Sequence, residues 1–136
     1  MTRDLLFLDT VYIQALLNRH DDYHDRAKSL YHKVRNATEV WVTEAILVEV
    51  GNALSATNRS EAVQFIQLCY QIPNMRVVSV DKSLLKRGLE LYHSRPDKDW
   101  GLTDCISFVA MREQNLIDAL TADRHFVQAG FRALLL

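Results

Sequence analysis

Cysteine is scarce: the chain has two, Cys69 and Cys105. Each sits in an apolar helical stretch without a CxxC or CxxH partner, which excludes a zinc knuckle and a disulfide framework and leaves two reduced core thiols. Long hydrophobic runs are missing as well. None approaches the ~20 residues that span a bilayer, so no membrane contact is expected. The opening Met1 to Leu8 is too short for a secretory signal, and the cytoplasm is the expected compartment. An excess of one charge is also lacking: the formal net charge is -1, so any contact with nucleic acid must come from local basic patches. Internal repeats and low-complexity segments are absent.

What is present is the composition of an ordinary folded protein, 49% hydrophobic and 24% charged over 136 residues, which excludes a disordered or fibrous chain and fits a single domain over residues 1–136. Apolar or β-branched runs at Leu5 to Leu8, Val40 to Thr43, Arg76 to Val80, Asp118 to Ala122 and Phe131 to Leu136 read as strands. Between them, helical spacing runs over Val11 to Arg19, Tyr23 to Arg35, Glu44 to Ala56, Glu61 to Gln71, Asp81 to His93 and Leu102 to Gln114, with a turn or two over Asp123 to Gln128. Ser94 to Gly101 reads as a mobile surface loop. This alternation predicts an α/β fold with a parallel sheet covered on both faces.

In such sheets the ligand site lies beyond the carboxyl ends of the strands. Asp9 and Asp123 stand there, each directly after a strand, and each is equally well placed to cap a following helix. Glu49 interrupts the aliphatic run Ala45 to Val50 at the border of the core face, where an acid needs a donor, a cation or a metal to offset its desolvation, unless that helix edge is solvated. Asp104 opens a helix, where it also complements the helix dipole. Thr10 and Thr121, beside these acids, are placed to cap a helix or to orient a carboxylate. If the four acids converge, their repulsion demands cations. Clustered carboxylates offer the hard oxygen ligands that suit Mg²⁺ or Mn²⁺, and the chemistry that uses such a site is phosphodiester hydrolysis.

Phe7-Leu8-Asp9-Thr10, Thr43 to Leu54 (TEAILVEVGNAL), Leu102 to Phe108 (LTDCISF) and Thr121 to Phe126 (TADRHF) together resemble the PIN-domain ribonucleases, in order and spacing over essentially the whole chain. The resemblance implies a three-layer α/β/α domain with a parallel sheet of about five strands. It implies Mg²⁺- or Mn²⁺-dependent cleavage of single-stranded RNA, leaving a 5'-phosphate and a 3'-hydroxyl. It places the family's catalytic and metal-binding acids on Asp9, Glu49, Asp104 and Asp123. Many small bacterial proteins with this pattern are VapC-type toxins, restrained by an antitoxin protein and often homodimeric. A further acid sometimes lines the site in the family; Asp99 is the nearest candidate, and a solvated loop charge is the plainer reading of it.

Lys82, Lys86, Arg87, Arg95 and Lys98 form the densest basic set, suited to RNA phosphates or to a solvated helix face. Trp100 suits a base-stacking platform or a loop anchor. His20 and His24 read as surface or capping residues, and Asp81 as the cap of its helix. Rival readings are an inactive PIN-like RNA-binding or scaffold protein, and a receiver-like signalling domain phosphorylated on Asp81. A haloacid-dehalogenase-like phosphatase is set aside, because Asp9-Thr10-Val11 lacks that family's second acid.

Overall fold

Parallel strands cannot be joined by tight turns, so each pair here is linked by a helical crossover. The computed structural model describes residues 4–136; Met1 to Arg3, the start of the stretch read as too short for a signal, lie outside the described residues. The order is β1 (Leu5–Leu8), α1 (Thr10–Leu17), α2 (His24–Ser29), α3 (Tyr31–Asn36), β2 (Glu39–Thr43), α4 (Glu44–Ala53), α5 (Arg59–Cys69), β3 (Met75–Val78), α6 (Lys82–Ser94), α7 (Leu102–Glu113), β4 (Asp118–Leu120), α8 (Arg124–Gln128) and β5 (Arg132–Ala133). The five strands form one parallel sheet in the order β3-β2-β1-β4-β5, with Leu6 opposite Val40 on one side and Asp118 on the other. The expected three-layer α/β/α fold is therefore present.

The strand order positions the site. The chain moves outward from β1 to β2 and β3, then returns to lay β4 on the other flank of β1. That reversal opens a crevice at the carboxyl ends of β1 and β4, the place where open α/β sheets bind ligands. The core beneath it is apolar and aromatic: Phe7, Ile13, Val40, Val42, Ile46, Phe108, Leu120 and Phe126 are all fully buried. Phe108 meets Trp100 and Phe126 edge-on at centroid distances of 5.1 and 5.0 Å, a favoured geometry for aromatic pairs. Cys69 and Cys105 are both buried free thiols, as expected. Among the described residues no helix is long and apolar enough to cross a membrane.

Three expectations need correction. The helix expected over Tyr23 to Arg35 is two short helices, because the Ser29 hydroxyl donates to the Arg26 carbonyl at 2.7 Å and competes for the acceptor that Leu30 N–H shares at 3.2 Å. The closing strand expected over Phe131 to Leu136 shrinks to Arg132–Ala133, although Leu134 and Leu135 still donate backbone hydrogen bonds to Ala119 and Thr121. The loop 94–101, expected to be mobile, is tied down: Trp100 is buried, its indole N–H donates to Gln128 at 3.0 Å, and the Arg95 guanidinium lies 5.1 Å above its ring. Of the two roles open to Trp100, anchoring is the one it performs.

Gly88 lets α6 approach α7 closely. A Cβ there would stand 2.7 Å from Ile106 Cγ1 and 3.3 Å from Ile106 Cα, so backbone as well as side chain would have to shift. Gly88→Ala is expected to destabilise the fold by about 1–3 kcal/mol despite its better helix propensity. The check is the urea midpoint at unchanged m-value; an unchanged midpoint would mean that the two helices separate freely.

Candidate active site

Asp9 occupies the N-cap position of α1 in extended backbone, yet its side chain makes no capping bond. Instead Oδ2 accepts a 2.6 Å hydrogen bond from the Thr121 hydroxyl, which also accepts the Asp123 N–H at 3.0 Å. One fully buried threonine thus links the carboxyl end of β1 to that of β4. The Asp9 residue is only 6% exposed. Burial is the main reason its carboxyl rises from the ordinary 3.8 to about 7. The Thr121 bond opposes the shift, and the charges of Asp104 and Asp123 add to it.

Asp104, in the first turn of α7, uses one oxygen twice: Oδ2 accepts the Gly101 N–H at 3.1 Å and the His125 ring Nδ1–H at 2.9 Å. Burial pushes its carboxyl upward, opposed by His125 and the Gly101 amide and reinforced by the charge of Asp123. Asp123 caps α8, its Oδ1 accepting the His125 N–H at 2.9 Å, and the same oxygen lies 3.4 Å from His125 Nδ1. The capping role open to Asp123 and the first-turn place expected for Asp104 are both real and coexist with the approach of the two acids to one another. Ligand atoms of Asp104, Asp123 and His125 all lie within 4.8 Å of one another.

Glu49 projects from α4 and is exposed, so the solvated-edge reading is correct for its burial. Its Oε1 nevertheless accepts a 2.7 Å bond from the Thr10 hydroxyl, which brings it to the start of α1. Asp9, Thr10, Gln14, Glu49, Asn52, Asp104 and Asp123 line a single open cavity of about 580 Å³. No lysine or arginine lines it. A divalent metal fits this donor set: the groups are hard oxygens, Asp9 is buried without a cationic partner among the described residues, and its charged neighbours, Asp104 and Asp123, raise its pKa.

Other candidates stand apart. Asp81 caps α6 by accepting the Leu84 N–H at 2.8 Å. It follows β3, two strands or roughly 10 Å from β1, which removes the acidic pocket that a receiver-like domain needs. Asp99 is exposed and does not line the cavity. Of the basic set, Arg87 forms an ion pair with Glu113 and Arg95 a two-bond pair with Asp97. None of Lys82, Lys86, Arg87, Arg95 and Lys98 lines the acidic cavity. His125 is the site residue that sequence reading missed; its one signal was its place two residues after Asp123, on the first turn of the same short helix.

Residues 6–132 match the PIN domain family. Among solved structures, the fold resembles VapC20 of Mycobacterium tuberculosis, described as a sarcin-ricin loop cleaving toxin, at 24% identity over 93% of this chain and 96% of that one, with a TM-score of 0.83. It also resembles FitAcB of Neisseria gonorrhoeae, at 13% identity over 94% of both chains and a TM-score of 0.64. A third similar structure is VapBC2 of Rickettsia felis bound to a DNA fragment from its promoter, at 13% identity over 92% of both chains and a TM-score of 0.60. Comparison with curated protein sequences finds no match.

The raised carboxyl of Asp9 makes the metal-free protein sensitive to pH. Between 3.8 and about 7 the folded state keeps a proton that the unfolded chain has released. Stability from this group is therefore full below pH ~4 and is lost as pH rises through 7, a change on the order of 4 kcal/mol. In chelator, thermal unfolding of the wild type should move to lower temperature from pH 5 to 8, and Asp9→Asn should flatten that dependence. Parallel curves for the two proteins would show that Asp9 ionises freely. The fold, the match over residues 6–132 and the acids gathered at the β1/β4 crevice agree: this chain belongs to the PIN domain family.

Proposed function

We propose that the chain is a single PIN-like nuclease domain over residues 1–136, acting as a Mg²⁺- or Mn²⁺-dependent endoribonuclease on single-stranded RNA. The observation that carries this reading is the buried Asp9, without a cationic partner among the described residues, lining one solvent-open cavity with Asp104 and Asp123. That VapC20 is named as a toxin cleaving an RNA loop supports RNA as the substrate. We further propose that the protein is the toxin of a toxin-antitoxin pair, restrained by a protein antitoxin, that it works as a homodimer, and that it acts in the cytoplasm.

Asp9, Asp104 and Asp123 would hold the metal, with Glu49 taking a second ion or orienting the attacking water. When bound, such an ion lowers the pKa of a coordinated water and stabilises charge on the departing oxygen. The protein's own groups set the geometry. Thr121 fixes the Asp9 carboxylate against the Asp123 backbone, and Thr10 fixes Glu49 across the seam between α1 and α4. His125 acts behind the ligands: its Nδ1–H restrains Asp104 and its backbone N–H restrains Asp123. A ring spent on ligand carboxylates is a positioning group, and hard cations prefer the oxygens it orients.

With Mn²⁺ or Mg²⁺ the wild type should cut single-stranded RNA to products ending in 5'-phosphate, and chelator should abolish the cutting. Asp9→Asn should lower the rate by about a hundredfold or more. If wild type and variant are equally inert on several RNAs with Mn²⁺ present, the chain is a PIN-fold scaffold and the proposal fails. His125→Ala should weaken apparent metal affinity by about 10–100-fold, measured as the Mn²⁺ concentration for half-maximal cleavage. His125→Asn, which keeps a donor, should recover part of that loss; equal losses in both would assign the ring a role other than hydrogen bonding.

A further inference from the structure

The acidic cavity ends at Gln14 on α1 and Ala53 on α4, and a second cavity begins just beyond, at Leu16 and Leu54. It measures about 670 Å³, and Arg19, His20, His24 and Glu61 are the ionisable groups in its lining. Both cavities follow the same seam between α1 and α4, their centres separated by most of the length of α1, on the order of 10 Å.

Their linings differ in charge. The first has acids and no lysine or arginine; the second sets Arg19 against the single carboxylate of Glu61 and adds the ring nitrogens of two histidines. Arg19 is exposed and makes no hydrogen bond or ion pair among the described residues. It differs in this from Arg87 and Arg95, whose guanidinium groups are engaged by acids of their own surface. The nearby Asp21 makes no ion pair with Arg19; its Oδ1 accepts the Tyr23 N–H at 2.8 Å. His24 Nδ1–H donates to the Ala15 carbonyl at 2.8 Å, which fixes the ring at the cleft wall and leaves Nε2 as its free nitrogen.

A polyanion cannot be held by the acidic cavity alone. A metal there neutralises the carboxylates and one phosphate, while the phosphates on either side still need donors. We propose that the Arg19–His20–His24 cleft is the subsite for the RNA backbone flanking the cleaved bond, with Arg19 as its principal phosphate contact. This rests on the ribonuclease reading above and adds the path of the strand, along the α1–α4 seam.

The test uses full-length protein, Mn²⁺ and a short fluorescein-labelled single-stranded RNA that the wild type cleaves. Arg19→Ala should raise KM about fivefold, as expected for loss of one exposed ionic contact, with the loss falling on KM rather than kcat. It should also reduce the slope of log affinity against log salt by about 0.7, the value for one phosphate contact on a single strand. Arg19→Lys should restore most of both, and Arg19→Glu should exceed Arg19→Ala. Circular dichroism melting would identify any variant that fails through folding; the exposed Arg19→Lys keeps the test decisive in that case. Unchanged KM and salt slope in all three variants overturn the subsite while the ribonuclease reading stands, and leave the cleft to a protein partner. A wild type that cleaves no RNA overturns both.

Discussion

The structure turns on a carboxylate held where water is nearly excluded and where, among the described residues, no positive side chain answers it. Asp9 is placed there by the fold: it is the first residue after the central strand, and the next strand to its side delivers Thr121 and Asp123 at the same level. A hydroxyl donor relieves only part of the desolvation, and two further aspartates add repulsion. Structural carboxylates are normally paired or solvated, because a buried unpaired charge costs several kcal/mol. A site that keeps this arrangement has the charge of Asp9 balanced from outside the chain, by a proton in the metal-free state or by a cation in the cavity that Asp9 shares with Asp104 and Asp123.

The apolar core beneath the site keeps these groups from spreading apart. Each acid-bearing segment carries an aromatic anchor close by: Phe7 two residues before Asp9 on the strand, Phe108 four after Asp104 on α7, and Phe126 three after Asp123 on α8. Strand and helix periodicities make these separations same-face positions or close to them. The rings meet one another, Phe108 with Phe126 at 5.0 Å and Phe7 with Phe126 at 6.3 Å. Repulsion above is thus opposed by packing below, through the same three backbone segments. Trp100 extends the cluster and fixes the loop from which Gly101 donates to Asp104.

Much of this was legible in the residues, for identifiable reasons. Leu5 to Leu8 followed at once by Asp9 announces both a buried strand and a polar group at its end. The break at Asn58 and the stop before Pro73 bound their helix to within two residues. Other features depend on information that is not local. Ser29 splitting a helix is a choice between two acceptors that periodicity does not register. The burial of Trp100 depends on Gln128 and Phe108, both distant in sequence. The convergence of the acids could be expected only from the family resemblance, since strand order decides it. His125 escaped notice because its function lies in a side-chain bond to Asp104, 21 residues earlier. The densest basic run drew attention by composition, while Arg19, unpaired among the described residues, is a lone cation in its segment.

The distribution of charge follows from the same constraint. A chain of net charge -1 with acids at its reactive centre has no general attraction for RNA, so non-specific binding, which scales with the phosphates neutralised, should be weak. For the ribonuclease proposed above this would be an advantage, because affinity must then be assembled from a few contacts that only a correctly laid strand makes together. A cation at the acids and donors some 10 Å along the same seam would satisfy that condition jointly and neither would alone. Selectivity in such an arrangement comes from the spacing between two weak sites, and the rigid helices α1 and α4 are what hold that spacing constant.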